Sequence, residues 1–467
     1  MKNAASLRRT ASGPSPIGLR SAFEHLARRP IKLVPLTFAG AIALVTGLFM
    51  LPIAQADPGG TTVLDAVFTA TSAITVTGLA TVDTPVHWTG FGEAVIMVAM
   101  QVGGLGIMTS AAFMGLLVSK RLGLRSRLMA QAELHSALNL GDLRGVIFRA
   151  FAVAGIVEAA VALVLALRFH YGYGMGRGEA AWQGLFHGVS AFNNGGFSLF
   201  SDSLMSFAND PLVIVPITAA SIIGGLGMPV IFEVTRRGWG RKRWTLHTKM
   251  TLAGTTILFA GGFVVFLAFE WANPATFGPM GWHEKTLSAF FQSAMLRTTG
   301  FNSIDVGAME DHSVLVSIVL MFIGGGSAST SGGIKVTTFF VLLWVIWSEV
   351  RAEPDASAFR TRLSVNVIRQ ALTIALLYVA VNVTAVVAMT LLHPEFALHE
   401  SAFEVASALA TVGQSTGLTA ELDAASKVLI IALMFIGRIG PVLLATALAI
   451  RTRRRLYHYP EGRPLVG

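Results

Sequence analysis

Four glycines hold most of the chemistry this sequence has to offer. Gly78, Gly196, Gly300 and Gly413 each follow a phenylalanine by ten residues and a small residue (Ser72, Ser190, Ala294 or Ser407) by six. Before them stand Thr75, Val76 and Thr77; Asn193, Asn194 and Gly195; Thr298 and Thr299; and Thr411 and Val412. After them stand Leu79, Phe197, Phe301 and Gln414. These residues supply no nucleophile with its base and no carboxylate, so what the turns can offer is backbone carbonyl oxygen. Glycine at positive φ lets successive carbonyls point the same way without a side-chain clash. Such oxygens replace an ion's hydration shell. Selection by dipoles in place of a charged ring suits a monovalent cation better than calcium.

These turns need elements that bring them to one place. Upstream of each glycine the sequence predicts a half-helix, near 62–74, 180–192, 284–296 and 399–410. A half-helix that enters the membrane and returns through an extended turn aims its partly negative C-terminal end at that turn, which favours a cation. Non-helical backbone at membrane depth is tolerated only where protein buries it or it lines a watery cavity, so four turns imply one central pathway. Eight apolar stretches flank the half-helices, near 31–54, 89–118, 145–169, 211–235, 248–271, 313–348, 365–392 and 424–450. Each has the roughly 20 residues needed to cross about 30 Å of hydrocarbon. Every second one holds a glycine cluster: Gly103-Gly104-Leu-Gly106, Gly224-Gly225-Leu-Gly227, Gly324-Gly325-Gly326 and Gly437-Arg438-Ile-Gly440. The expected fold class is an all-α polytopic membrane protein. Four membrane-pore-membrane repeats (31–118, 119–235, 236–348 and 349–450), with eight transmembrane helices and four re-entrant pore helices, surround a pseudo-fourfold ion pore between tails at 1–30 and 451–467.

Composition points the same way: 53% of residues are hydrophobic and only 13% charged, a membrane-protein balance. The absence of cysteine excludes disulfides, thiolate chemistry and cysteine metal sites. The net charge of +9 does not imply nucleic acid, because 28 of the 35 Lys and Arg precede alternate spans or lie in the tail. Only Arg168, Arg177, Lys285 and Lys427 fall in the opposite loops. By the positive-inside rule both termini are cytoplasmic, as eight spans permit. The bases before the first span, with no small-residue cleavage site after it, predict a retained tail and no signal peptide. Asp83, Asp202, Asp305, Glu421 and Asp423 follow the turns; they either concentrate cations at the outer mouth or are ordinary loop charges. No His-Glu-x-x-His pair occurs and Ser327 has no base in its segment, so nothing supports an intramembrane enzyme.

The four turns, with the run Gly324-Gly-Gly-Ser-Ala-Ser-Thr-Ser-Gly-Gly-Ile-Lys335 in the third unit, resemble the Trk/Ktr superfamily of potassium transporters, and within it the KtrB-type membrane subunits. The stretch 75–79, Thr-Val-Thr-Gly-Leu, also resembles the potassium-filter sequence Thr-Val-Gly-Tyr-Gly. The resemblance implies an intramembrane gating loop made of Gly324, Gly325, Gly326, Ser327, Ser329, Thr330, Ser331, Gly332, Gly333 and Lys335. Such a run cannot hold a strong helix, so the sixth span is expected to break there; the alternative is a kinked helix with a small packing face. Lys335 either repels passing ions or snorkels to cytoplasmic water. Arg438 stands where the other clusters have Gly104, Gly225 or Gly325. The resemblance implies that it narrows the pathway and pairs with the loop, the alternative being a structural arginine on nearby carbonyls. Arg297 is expected to brace the third turn from behind. Gln414 departs from the apolar pattern of Leu79, Phe197 and Phe301, which predicts a less rigid fourth quarter and weaker exclusion of sodium.

The resemblance further implies potassium uptake across a bacterial inner membrane, with potassium held by the filter carbonyls and sodium a second candidate ion. It implies a homodimer above a cytoplasmic ring of KtrA-like nucleotide-binding regulatory subunits. This chain has no nucleotide fingerprint of its own and is expected to carry no cofactor. The basic segments 120–149 and 451–467 are candidate docking surfaces, or they answer the positive-inside rule or bind anionic membrane lipid. A rival reading is a symporter driven by sodium or protons, with Glu158 and Glu233 the nearest membrane acids.

Overall fold

The computed structural model describes residues 30–121, 143–238 and 244–450. The tails and most of the basic segment 120–149, with the docking roles expected of them, lie outside the described residues. Long and short helices alternate along the chain. The first set is α1 (Pro30–Phe49), α2 (Val63–Thr75) and α3 (Gly90–Arg121); the second is α4 (Leu143–Tyr173), α5 (Arg177–Asn193), α6 (Pro211–Leu226) and α7 (Met228–Arg237). The third is α8 (Leu246–Glu270), α9 (Trp282–Met295), α10 (Asp311–Phe322) and α11 (Val336–Val350); the fourth is α12 (Val365–Leu392), α13 (Leu398–Ala410) and α14 (Ala424–Ile450). A small antiparallel hairpin, β1 (Ser357–Ala358) and β2 (Thr361–Arg362), joins α11 to α12.

The half-helices α2, α5, α9 and α13 each pack on the long helix before them and on a helix of the preceding set: α2 on α14, α5 on α3, α9 on α6 and α13 on α10. The order of contacts closes on itself. Phe68, Phe186 and Phe403 anchor three of these half-helices as fully buried rings. In the third, the buried ring is Phe291, while the repeat's own Phe290 packs edge-on against Phe259 at 5.0 Å.

Five continuous helices among the described residues are long and apolar enough to cross a membrane: Gly90–Ser110, Ile147–Tyr173, Leu246–Glu270, Val365–Leu392 and Ala424–Pro441. The other three expected spans differ from single long helices. The apolar part of the first is the shorter Val34–Phe49. The stretch 211–235 is bent by 99° between α6 and α7, at Gly227 with φ +91. The stretch 313–348 is divided between α10 and α11. Glu233 fixes the bend. Its carboxylate accepts from the Thr245 amide (3.0 Å), the Thr245 and Thr248 hydroxyls (2.7 and 2.5 Å) and Arg237 (2.8 Å), tying α7 to the start of α8. A carboxylate with four donors is an anchor, which is a structural use of one of the two acids considered for proton coupling.

His393 ends α12 between two carboxylates. Its Nδ1 lies 2.7 Å from Glu395 and its Nε2 3.2 Å from Asp423, and its ring stacks on Phe396 at 4.6 Å. The bond with Glu395, and after it that with Asp423, raises its pKa above the ordinary 6.5. A raised folded-state pKa stabilises below the unfolded value and is lost as pH rises through the folded one. Melting of the detergent-solubilised protein is therefore expected to fall between pH 6.5 and the alkaline side, and His393→Gln is expected to flatten that slope.

Candidate functional site

Each short helix is oriented by charge placed at its start. Asp65, Glu179, Glu284 and Glu400 occupy the four first turns, and no base occupies a last turn. Acids at the N-terminus offset its partial positive charge, while the negative C-terminal poles stay uncompensated. Glu284 and Glu400 also accept the amides of Gly281 and Ala397 (3.0 and 3.1 Å).

The helices end at the four turns, and the turns meet. Gly78, Gly196, Gly300 and Gly413 have φ of +93, +69, +85 and +96. A Cβ built on Gly78 would lie 3.0 Å from Gly196 Cα, one on Gly196 3.3 Å from Gly300 Cα, one on Gly300 3.0 Å from Gly413 Cα, and one on Gly413 3.0 Å from Gly78 Cα. In every case a carbonyl oxygen of the next turn is nearer still: Gly195, Thr299, Val412 and Thr77 in that order. Each belongs to the residue just before a turn glycine, so four equivalent carbonyls and four glycines form a closed ring. Two residues before each glycine, Val76, Asn194 and Thr411 are left-handed (φ 55, 60 and 50), whereas Thr298 has φ 151.

The small residue six before each glycine has a mechanical purpose. Ser72 Oγ accepts the Gly78 amide at 3.0 Å and Ser407 Oγ accepts the Gly413 amide at 3.1 Å. Ser190 Oγ instead donates to the Phe197 carbonyl at 2.9 Å, and Ala294 has no hydroxyl to offer. The first glycine of three clusters is a packing site: Gly103, Gly224 and Gly437 lie against the half-helix carbonyls of Ile74, Phe192 and Leu409. Thr75 and Thr77 join their hydroxyls at 2.7 Å. Asn193 binds backwards, to Gln101 (2.6 Å) and Glu158 (3.1 Å) on the surrounding helices, and Gln101 also donates to Glu158 at 3.1 Å. Sequence reading marks Glu158 only as an acid in a span; its spacing gives no sign that it stands behind the second turn.

Between α10 and α11 the chain leaves helix and forms a loop directly beside the ring. Its ends are pinned where Ile323 and Ile334 pair, with the Gly324 amide donating to Ile334 at 2.9 Å. Gly326 and Thr330 amides donate to the Gly225 and Gly224 carbonyls at 2.8 and 3.3 Å, and the Met228 amide donates to Ala328 at 3.3 Å, so the loop rests on the bend after α6. Gly325 lies against the Gly225 carbonyl, and Gly332 against the Ala410 carbonyl and Thr411 hydroxyl of the fourth turn. Ser329 closes the loop internally on the Gly326 carbonyl at 2.6 Å, and Ser327 lies 3.5 Å from Thr337. Gly333 takes φ 65.

Three cations engage this loop. Arg438, 3% exposed, donates through Nη1 to the Thr330 carbonyl, while its Nε and Nη2 have no partner among the described residues. Lys335 turns back to donate to the Ser331 carbonyl at 2.6 Å. Lys335 and Arg438 line one small cavity beside the loop. Arg297 donates to the Gly324 carbonyl at 2.8 Å and to Thr255 at 3.4 Å. The Gly324 carbonyl is freed by the break between α10 and α11, while that of Thr255 lies inside continuous α8; neither belongs to the third turn itself.

Gln414 is polar but not loose. It and Gln292 exchange amide hydrogen bonds (2.9 and 3.1 Å), and its Nε2 also donates to the Phe301 carbonyl at 2.8 Å. The pair ties the fourth quarter to the third, so the departure from an apolar residue stiffens what sequence reasoning expects it to loosen. Nearby, buried Glu404 accepts from the hydroxyls of Ser415 and Thr419 and from the Thr416 amide (2.9 Å). The one signal for this in the sequence is a carboxylate past the first turn of the half-helix, in the stretch 401–410 otherwise built of apolar and small residues. Glu404→Ala would strand these donors, each bond to a charged acceptor contributing about 1.5–3 kcal/mol. A melting temperature well below that of the parent protein, with Glu404→Gln intermediate, is the expected outcome in a thermal-shift assay.

The outer acids are mostly engaged locally. Asp83 accepts from Ser201 (2.7 Å), Asp202 from the Ser206 amide (2.9 Å), Asp305 from the Gly307 amide (3.0 Å) and Asp423 from the Ser426 amide (2.8 Å). Among the described residues no three His, Asp or Glu are placed to hold a metal ion.

A family model described as TrkH, cation transport protein, matches residues 48–454. Ktr system potassium uptake protein B of Bacillus subtilis (strain 168) is 39% identical over 438 residues, covering 94% of this chain and 97% of that protein. The protein of the same description from Vibrio alginolyticus is 40% identical over 443 residues, covering 93% and 94%. The crystal structure of the potassium transporter TrkH from Vibrio parahaemolyticus superimposes with a TM-score of 0.70 at 18% identity, covering 91% of this chain and 85% of that one.

Proposed function

Because this chain belongs to the TrkH family of cation transport proteins, we propose that it takes up potassium across a bacterial inner membrane, using the ring of four turns as its selectivity filter. The observation that carries the reading is the closed ring, in which the carbonyls of Thr77, Gly195, Thr299 and Val412 each abut the preceding turn's glycine (Gly413, Gly78, Gly196 and Gly300). Neutral carbonyls backed by four negative helix poles replace the water around a monovalent cation and repel anions. Thr75, Val76, Asn193, Asn194, Thr298 and Thr411 shape the turns from which these carbonyls project. In this reading the chain is four membrane-pore-membrane units about one pathway, with both termini cytoplasmic. The 324–335 loop and Arg438 form the gate. Relatives described as components of a Ktr system support a further proposal, a homodimer controlled by separate nucleotide-binding regulatory subunits.

The test is uptake of radioactive rubidium or potassium into proteoliposomes holding the purified protein with its regulatory subunit, at a fixed membrane potential. Saturable uptake that excess sodium competes for poorly is expected. Absence of uptake by correctly inserted protein would refute the reading.

A further inference from the structure

The loop and the ring share a buried polar cluster. Thr298 Oγ1, on the third turn, donates to Ser331 Oγ, on the loop, at 2.8 Å. The side-chain amide of Asn194, on the second turn, lies 2.9 Å from Ser331 Oγ and 3.0 Å from Thr298 Oγ1. With its oxygen toward these hydroxyls, its nitrogen donates to the Ser221 and Ala191 carbonyls at 3.1 and 3.2 Å. All three residues are buried. The neighbouring glycines leave only enough room for the cluster: a Cβ on Gly225 would stand 3.0 Å from Ser331 Oγ, and one on Gly325 2.7 Å from Ser331 Cβ.

We infer that Ser331 is a latch through which the loop holds the second and third turns in their ring geometry, making ion preference depend on loop position. The inference rests on the reading of the ring as an ion filter. Asn194 and Thr298 immediately precede Gly195 and Thr299, whose carbonyls face the neighbouring turns. Asn194 takes φ 60, which asparagine tolerates, but Thr298 takes φ 151, a conformation that a β-branched residue keeps only when its surroundings enforce it. The first and fourth turns have their own support, the serine hydroxyls on the Gly78 and Gly413 amides. The second and third turns lack that bond among the described residues, and they are the two that Ser331 reaches. A loop that withdraws to open the pathway takes Ser331 with it and releases half of the ring.

Ser331→Ala is expected to lower the preference for potassium over sodium in proteoliposome uptake by about tenfold, the equivalent of one hydrogen bond. Ser317→Ala removes a buried hydroxyl that, among the described residues, bonds only its own helix, at the Ser313 carbonyl (2.7 Å), and is expected to leave that preference unchanged. A Ser331→Ala protein with the parent preference would overturn the latch. If this variant carries no flux, thermal stabilisation by potassium chloride relative to sodium chloride replaces the readout. Loss of the difference between the two salts supports the latch, and a parent-like difference overturns it. Absence of potassium flux in the parent protein would instead strike at the filter reading itself.

Discussion

Gly413→Ala is expected to abolish selective uptake while leaving the protein inserted and folded. Gly413 closes the ring between the fourth turn and the first. Its φ of +96 is strained for any residue with a Cβ, and an added Cβ would collide with the Thr77 carbonyl and stand 3.0 Å from Gly78 Cα. Left-handed backbone alone costs about 1–2 kcal/mol in an L-residue, and the collision falls on an oxygen that, in the proposed filter reading, meets the ion. Relief of the clash tilts that carbonyl, so the effect lands on ion binding more than on global stability. Rubidium uptake should fall by about a hundredfold, the effect of roughly 3 kcal/mol at one coordinating position. Gly106 is the control, since nothing lies within 4 Å of a Cβ built there. Gly106→Ala should transport normally, and a Gly413→Ala protein with half the parent rate would contradict the geometry.

Arg438→Ala should act in the opposite direction, raising flux in the absence of any regulatory subunit. The guanidinium is buried and holds the loop through the Thr330 carbonyl. A cation passing within about 4 Å of it meets a repulsion of about 4 kcal/mol at an effective dielectric constant near 20. Removing the charge lowers that barrier and frees the loop together. Even partial realisation of the effect corresponds to at least about a tenfold gain in rate. Arg438→Lys keeps the charge but loses the planar fork, and it should remain near the parent rate. Equal or lower flux in Arg438→Ala would show that the arginine is a structural brace alone.

The half-helices, the turn glycines and the loop were all legible in the sequence, because each rests on a local rule repeated in phase. A glycine after a run of small residues marks a turn, and four copies at one spacing from a phenylalanine mark a repeat. The support behind the ring was not legible. Nothing local joins Gln292 to Gln414, Glu158 to Asn193, or Ser331 to Asn194, since these partners are separated by 122, 35 and 137 positions. Polarity at Gln414 reads as a weakness in isolation, and only its partner across the ring turns it into a brace. The bend after α6 escaped for a related reason: Gly227 in a small-residue cluster is compatible with a straight packed helix, and it is the distant loop resting there, with the Glu233 anchor to α8, that holds the turn.

What the sequence by itself determined is the order of elements, the membrane setting and the placing of the turn glycines. Apolar length, charge asymmetry and glycine position are properties of contiguous residues. Only the tertiary structure decided that the four turns touch in a closed cycle, that Arg438 and Lys335 bond the loop, and that Ser331 reaches the ring. Hydrogen bonds between distant segments depend on packing that brings them within about 3 Å of each other, and no local pattern encodes that approach.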